Sequence, residues 1–500
     1  MAIEKIDTLE SESSNRPRIA LAAFGIAMIT LLAYLPALNS GYIWDDDDYV
    51  TRNELLLDLD GLKRIWIPEQ TPQYYPVVFT TFWVEYQLWE LQPLGYHLNN
   101  ILLHIASSLL LWRIMVRLKI PGGIVAAGLI GAIFALHPVQ VETVAWITER
   151  KNVLSMVFYL SAVLMYLRFD DERASSDPGV NNQDIWGWYG MTLVLFIAAL
   201  LSKSVTCSLP AALILMHLYR RQPLTKGRLA TLTPMFIIGL IAAFNTARIE
   251  REHVGAEGLA FDLSILDRTL VASKALLFYP GKIVWPQPLI FIYPRWTIPP
   301  GNPLSYWPIG LVAILGISLI VLYRKGLRGP FIALSLFAGT VFPALGFFNV
   351  YPHLYSFVAD HFQYHATIGL ITLIVGGLFW GFPKKRSLVI ALLMASLPML
   401  AILTYRQGKN YKDETTLWLA TVEKNPDSWM SWNNLGHLAL DRGDHVAAEP
   451  YLRRCLELRP DHFNAWSNLS ESLRRQDRNE EALEAIEEAF VQGERMIDEG

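Results

Sequence analysis

At 500 residues, 52% hydrophobic and only 18% charged, the chain is too apolar and too long for one soluble core, and its composition points to a membrane as solvent. A formal net charge of −4 argues against nucleic acid as a partner. Two cysteines, Cys207 in an apolar run and Cys455 far downstream, supply neither a disulfide framework nor a zinc spacing.

Residues 1–18 are polar and mixed in charge, and read as a cytoplasmic tail. Residues 19–38 form a charge-free run that, at ~1.5 Å per residue, covers a hydrocarbon core ~30 Å thick. No small-residue cleavage site follows, so this run is expected to stay as an anchor. Further apolar segments at 98–116, 122–137, 152–168, 187–203, 205–219, 229–247, 304–323, 330–348, 361–380 and 387–404 predict an all-α polytopic bundle over 19–405, with about eleven spans. Basic residues fall in alternate connections: Arg16/Arg18, Arg117/Lys119, Arg168/Arg173, Arg220/Arg221/Lys226/Arg228, Arg324/Lys325/Arg328 and Lys384/Lys385/Arg386. That side is expected to be cytoplasmic. The opposite side, periplasmic or lumenal, receives residues 39–97, 248–303 and everything after 405. Residues 270–284 are apolar but short and carry Lys274 and Lys282, and so read as interfacial or re-entrant.

Over 406–500 the composition turns polar and two windows match 34 residues apart: Trp432/Trp466, Leu435/Leu469, Ala448/Ala482 and Cys455/Ala489. That period is a tetratricopeptide spacing. Gly436 and Pro460 also stand where the repeat places packing residues, and Pro426 precedes Pro460 by one period, so about two and a half repeats are expected. Such stacks commonly offer a concave surface to a peptide, although a plain spacer has the same pattern.

Residues 41–51 (GYIWDDDDYVT) place Asp45, Asp46, Asp47 and Asp48 just beyond the first predicted span. Crowded carboxylates raise one another's pKa, which prepares an acid/base group or a metal site. An acidic loop capping the following helix is the competing reading of the cluster alone. Beyond the third span, His137 and Glu142 are followed by Glu149, Arg150 and Lys151, predicted on the same face. There a basic pair can hold a phosphate while a carboxylate orients an acceptor. Lys203, between the fifth and sixth spans, either snorkels or adds a phosphate contact. The aromatic stretch from Tyr279-Pro280 through Trp296-Thr297-Ile298-Pro299-Pro300 is expected to anchor at the headgroup level, with a cap over the site as the second reading.

The order GYIWDDDDYVTRN, YYPVV, LWELQPLGYHLNNILLH, HPVQVETVAWITERKNVLS and LLSKS, ending in repeats, resembles the transmembrane-and-tetratricopeptide-repeat family of O-mannosyltransferases and its bacterial relatives, over nearly the whole chain. The resemblance implies a GT-C fold, a polyprenyl-phosphate-linked sugar as donor, an active site on the non-cytoplasmic face, and a bacterial inner membrane as the location. It implies that a carboxylate of the first external loop is the base, here Asp45 or Asp46, with Asp47 matching a third acid, and that His137 and Glu142 belong to the second block. Where relatives carry Asp-Arg-Tyr before a late span, this chain has Asp360-His361-Phe362.

The expected reaction is an inverting transfer of mannose or another hexose to a Ser or Thr hydroxyl of a protein presented by the repeats. Arg150, Lys151 or Lys203 would stabilise the leaving phosphate. Four aspartates also leave a divalent cation open, since oxygen-ligand sites need a closed set of donors that spacing does not reveal. A reading from another class is a catalytically inactive, membrane-anchored scaffold whose repeats assemble envelope or membrane complexes.

Overall fold

In the computed structural model, residues 2–175, 181–256, 258, 261–298 and 302–499 are described, and among them every regular element is helical. Pro299 and Pro300 lie outside the described residues.

All eleven apolar runs are helical, but their lengths differ. Among the described residues, five helices are individually long and apolar enough to cross a membrane: Pro93–Arg117, Ile147–Arg173, Lys226–Glu252, Pro303–Arg324 and Pro383–Tyr411. A sixth arises if the bent pair Gly123–Leu136 and Pro138–Ala145 is one span. Pro17–Ala33, Ser204–Tyr219 and Thr367–Gly381 are apolar but shorter. Prolines account for some of the shortening. Pro138 drives His137 to an extended ψ of 126°, which ends the helix before it and leaves a 51° bend. Phe342-Pro343 likewise closes the helix Arg328–Val341, seven residues short of the apolar run.

Burial sorts the helices into centre and rim. The apolar window of Ile147–Arg173 is 72% buried, whereas that of Pro303–Arg324 is only 6% buried. Leu304, Ile314 and Ile317 stand outward at 82%, 62% and 63% exposure, a surface that water would penalise and lipid would not. Close approach inside the bundle depends on small residues. A Cβ at Gly369 would lie 2.4 Å from the Ala333 carbonyl oxygen, so only glycine lets Thr367–Gly381 lie against Arg328–Val341 there.

Residues 270–284 depart from the expected short segment. The helix runs Ile265–Val284, 20 residues long, because Ser264 caps it by accepting a hydrogen bond from the Asp267 N–H. It packs on Trp307–Arg324 and Thr367–Gly381.

The C-terminal region is a stack of helices: Glu414–Lys424, Trp429–Asp441, His445–Leu458, Phe463–Arg474 and Asn479–Glu499. Trp432 Nε1 donates to the Pro426 carbonyl and Trp466 Nε1 to that of Pro460, each at 2.8 Å, the same bond one period apart. Leu435, Ala448, Cys455, Leu469, Ala482 and Ala489 are buried. At Gly436 a Cβ would fall 2.6 Å from the Leu452 side chain, so that position admits the facing helix only as glycine.

Candidate functional site

Trp44 organises the aspartate loop. Its backbone takes a left-handed φ of 45°, a conformation a tryptophan adopts only when its surroundings impose it. The ring stacks on Trp146 at 5.5 Å and meets Phe291 and Trp418 edge-on at 5.5 and 6.0 Å. Its N–H donates to Glu414 Oε1 at 2.6 Å, so the first helix of the repeat region holds the loop in place. The repeats and the aspartates therefore lie at the same end of the bundle.

The four aspartates have different fates. Asp46 is fully buried; its Oδ1 accepts from the Thr148 N–H and hydroxyl at 2.8 and 2.7 Å, and its Oδ2 accepts from the Ile43 N–H at 2.9 Å. Burial pushes its carboxyl up to about 7 although these donors favour the charged form. Asp47 pairs with Arg52 at 2.9 Å on the surface. Asp45 and Asp48 line a cavity of 210 Å³, together with Glu142, Trp146, Glu149, Lys151, Phe291 and His361. Among the described residues the Asp45 carboxylate has no hydrogen-bond partner. Burial raises it to about 6, opposed by Lys151 and assisted by Asp48 and Glu149.

Across the cavity Glu149, wholly buried, receives Lys151 Nζ at 3.1 Å and Lys203 Nζ at 3.4 Å, and the amide of Asn152 also donates to it. One carboxylate is thus shared by two ammonium groups, which leaves a net positive charge beside Asp45. Lys151 further lies over the Tyr49 and Trp146 rings, at 5.3 and 5.8 Å. His361 hydrogen-bonds Glu142 through Nδ1, while Nε2 stands 4.0 Å from Glu149. Asp360, next to it, is buried under the Tyr293 hydroxyl at 3.1 Å, and burial raises its carboxyl to about 7.

Two residues of the second block sit elsewhere. Arg150 has all five donors engaged: both terminal nitrogens meet Glu85 at 2.8 and 3.0 Å, one also meets the Tyr96 carbonyl at 2.9 Å and the other the Thr81 hydroxyl at 3.4 Å, and Nε meets Asn100. It is fully buried and joins three helices, so a phosphate would find no free donor there. His137 accepts from the Val139 N–H and bonds the Ile283 carbonyl at 3.0 Å, which makes it the cap of the bend rather than a wall of the cavity.

The segment expected to anchor at the interface is a wall of the cavity. Leu289, Phe291 and Tyr293 are buried at 3, 6 and 4%, and Asn425 and Lys424 of the repeat region bond the carbonyls of Ile292 and Leu289 at 3.0 Å each. No periodic signal marks this segment, because it has no regular structure. His361 was visible only as a departure from a pattern.

A second, larger cavity of 910 Å³ opens in the bundle. Its walls are apolar, from His365, which contacts Ser155 at 3.2 Å near the site, to a rim holding Arg117, Lys119, Arg220 and Arg221. Arg220 pairs with Asp171 at 2.5 Å, and Asp171 follows Arg150 by 21 helical residues, ~30 Å along the axis. Among the described residues no group of three or more His, Cys, Asp or Glu side chains is gathered for a metal ion.

These features define a helical membrane protein with a cavity at one end, covered by a tetratricopeptide-repeat domain. Residues 428–490 match the tetratricopeptide repeat family. Over most of its length the chain is a homologue of proteins named protein O-mannosyl-transferase, of the kind its motifs resemble. It is 22% identical over 509 residues to protein O-mannosyl-transferase TMTC3 of Homo sapiens, covering 92% of this chain and 54% of that protein. It is 23% identical over 454 residues to protein O-mannosyl-transferase F38B6.6 of Caenorhabditis elegans, covering 87% and 62%. Over 197 residues it is 30% identical to protein O-mannosyl-transferase Tmtc1 of Drosophila melanogaster, covering 36% and 20%. The chain spans about half the length of the TMTC3 relatives it matches.

Proposed function

We propose that this chain is a membrane glycosyltransferase that moves a hexose, mannose by analogy with its relatives' names, from a polyprenyl phosphate to a protein Ser or Thr hydroxyl on the non-cytoplasmic side. The observation that carries this reading is the pairing of an unpartnered carboxylate, Asp45, with the Lys151–Glu149–Lys203 cluster across one cavity.

In this reading the acceptor O–H gives its proton to Asp45 and its oxygen attacks the sugar C1. The bond from C1 to the donor phosphate breaks from the opposite face, its electron pair leaves with the phosphate, and the anomeric configuration inverts. Lys151 meets the phosphate charge as it develops, and Glu149 keeps that lysine aimed into the cavity. His361, fixed through Nδ1 by Glu142, presents Nε2 on the same wall. The 910 Å³ apolar cavity offers room for part of the polyprenyl chain, and the repeats bring the acceptor polypeptide to the mouth. A scaffold alone has no use for a half-buried acid facing a buried lysine, Lys151, that shares Glu149 with Lys203, an arrangement that costs desolvation energy.

The test is transfer from a mannosyl-phosphoryl-polyprenol to a Ser/Thr peptide by the full chain in detergent. Loss of transfer in Asp45→Asn with donor binding kept supports the reading. Transfer at the unmodified rate in Asp45→Asn removes Asp45 as the base.

A further inference from the structure

The 910 Å³ cavity ends far from the candidate site, at a rim built by four turns of chain: residues 118–121, 219–222, 326–330 and 380–381. Asp171, paired with two arginines of that rim, lies ~30 Å along the helix Arg150–Arg173 from Lys151, about the thickness of a hydrocarbon core. Trp380 stands on the rim at 61% exposure, and tryptophan favours the headgroup level of a bilayer. Behind the rim, Leu111, Leu160, Leu336 and Ile368 keep the walls apolar.

The rim gathers more positive charge than the protein neutralises. Among the described residues five cations line the cavity, Arg117, Lys119, Arg220, Arg221 and Arg328, and no Asp or Glu does. Arg117 and Arg220 share the one carboxylate of Asp171, at 3.3 and 2.5 Å, and Arg220 Nη1 is buried with no hydrogen-bond partner among the described residues. Arg328 donates to the Leu218 carbonyl at 3.1 Å and lies 5.4 Å from the centre of the Tyr323 ring. The side chains of Lys119 and Arg221 are exposed and make no hydrogen bond or ion pair among the described residues.

Lys119 and Arg221 share a second feature. Each follows the end of a helix, Pro93–Arg117 or Leu209–Tyr219, in a left-handed backbone with φ of 53° and 56°. Glycine or asparagine fills such a post at least cost. Here both posts carry a long basic side chain on the lip of an apolar space. The ligand that matches this lip is an anion joined to a hydrocarbon chain.

We infer that the rim binds an anionic phospholipid of the leaflet away from Asp45, with its phosphate on Lys119 and Arg221 and one acyl chain in the adjoining end of the cavity. Basic pockets between membrane helices hold lipid phosphates in this way. The ammonium and guanidinium groups give the phosphate charge-assisted hydrogen bonds, while the apolar walls take the chain. A sugar donor does not fill the same role, because a donor whose phosphate sits at Lys151, at the opposite end, leaves the rim charges uncovered. The site goes beyond the transfer reaction and does not depend on it.

The experiment is native mass spectrometry of the delipidated full chain in maltoside detergent, titrated with phosphatidylglycerol, phosphatidylcholine or undecaprenyl phosphate. Two variants separate headgroup from chain. Lys119→Asn with Arg221→Asn removes both charges with a residue that tolerates the left-handed turn. Gly376→Leu narrows the cavity at a position where a Cβ meets nothing within 4 Å. Phosphatidylglycerol is expected to bind about tenfold more tightly than phosphatidylcholine, and less tightly as salt rises. The double Asn variant should bind phosphatidylglycerol about 10–30-fold more weakly and lose the preference, whereas Gly376→Leu should weaken both phospholipids. Equal affinity for the two phospholipids, a preference that survives the double substitution, or binding unchanged in Gly376→Leu overturns the inference. So does undecaprenyl phosphate that binds more tightly than phosphatidylglycerol and is lost in the double Asn variant, which would give the rim to the donor. A phosphatidylglycerol preference in a chain that transfers no sugar would instead sink the proposed function and leave this site standing.

Discussion

Thr148 donates its backbone N–H and its hydroxyl to the same oxygen of Asp46, at 2.8 and 2.7 Å, and so ties the aspartate loop to the segment that carries Glu149 and Lys151. Asp46 is a strut between the two halves of the site. The neighbouring Asp45, with an unpartnered carboxylate, is the base in the function proposed above.

Exchanging these two adjacent acids should therefore have opposite signatures. In Asp46→Asn one acceptor oxygen becomes a donor facing other donors, and hydrogen bonds to a charged group are worth about 1.5–3 kcal/mol. The variant is expected to melt at a lower temperature in detergent by intrinsic fluorescence, and to lose activity in step with folded protein. Asp45→Asn should melt like the unmodified chain and lose transfer by about 10²–10⁴-fold, the usual contribution of a positioned base. A stable, inactive Asp46→Asn beside an active Asp45→Asn would reverse the assignment.

The pH dependence of transfer follows from the Asp45 carboxyl, raised to about 6 by burial. A base works in its ionised form, so kcat/KM should climb as pH rises through about 6 and level off above 7, with about a tenth of the plateau left at pH 5. Lys151 lowers the Asp45 pKa, so Lys151→Met should move this limb to higher pH. A pH–rate profile of both proteins checks the direction. A limb that stays in place in Lys151→Met would separate the titrating group from Asp45.

Arg150 and Lys151 are neighbours in sequence with different work. Arg150 and Glu85 form a wholly buried ion pair at 2.8 Å, and removing one partner of such a pair costs about 3–5 kcal/mol because the other charge is stranded. Glu85→Gln and Arg150→Met are each expected to reduce the yield of folded protein. Lys151→Met should fold and weaken donor binding, which a titration with mannosyl-phosphoryl-polyprenol would measure.

That difference marks how far the sequence could be read. The apolar runs, the 34-residue period and the clusters around Asp45 and Glu149 were legible because each is a local pattern: a hydropathy window, a repeat, a block of acids or bases. Which member of each cluster faces the cavity was not. Asp45 and Asp46 differ by one position along the loop, and the left-handed turn at Trp44 and the contacts of Thr148 decide the outcome. Arg150 has the sequence setting of a phosphate ligand, but Glu85, 65 positions earlier, occupies its guanidinium. Phe291 and Tyr293 lie in a segment without periodicity, whose aromatic content points to an interfacial anchor before it points to a cap over the site.

The bond from the Trp44 N–H to Glu414 Oε1, at 2.6 Å, yields the prediction that best separates an enzyme from a scaffold. Glu414 opens the first helix of the repeat region, and Trp418 of the same helix is buried against Trp44 and Phe291. If the repeats only recruit partners, the link between this helix and the aspartate loop has no bearing on chemistry, and Glu414→Ala should leave transfer to a short peptide untouched. If the helix holds Trp44 in its strained backbone, and through it aims Asp45, the same substitution should lower kcat severalfold for even the smallest acceptor while the repeats stay folded. Limited proteolysis of residues 428–490 reports on the repeats, and single-turnover transfer to a short peptide reports on the site. A scaffold would transfer nothing to any peptide, would assemble its complexes unchanged in Glu414→Ala and Asp45→Asn, and would lose assembly only on deletion of residues 413–500.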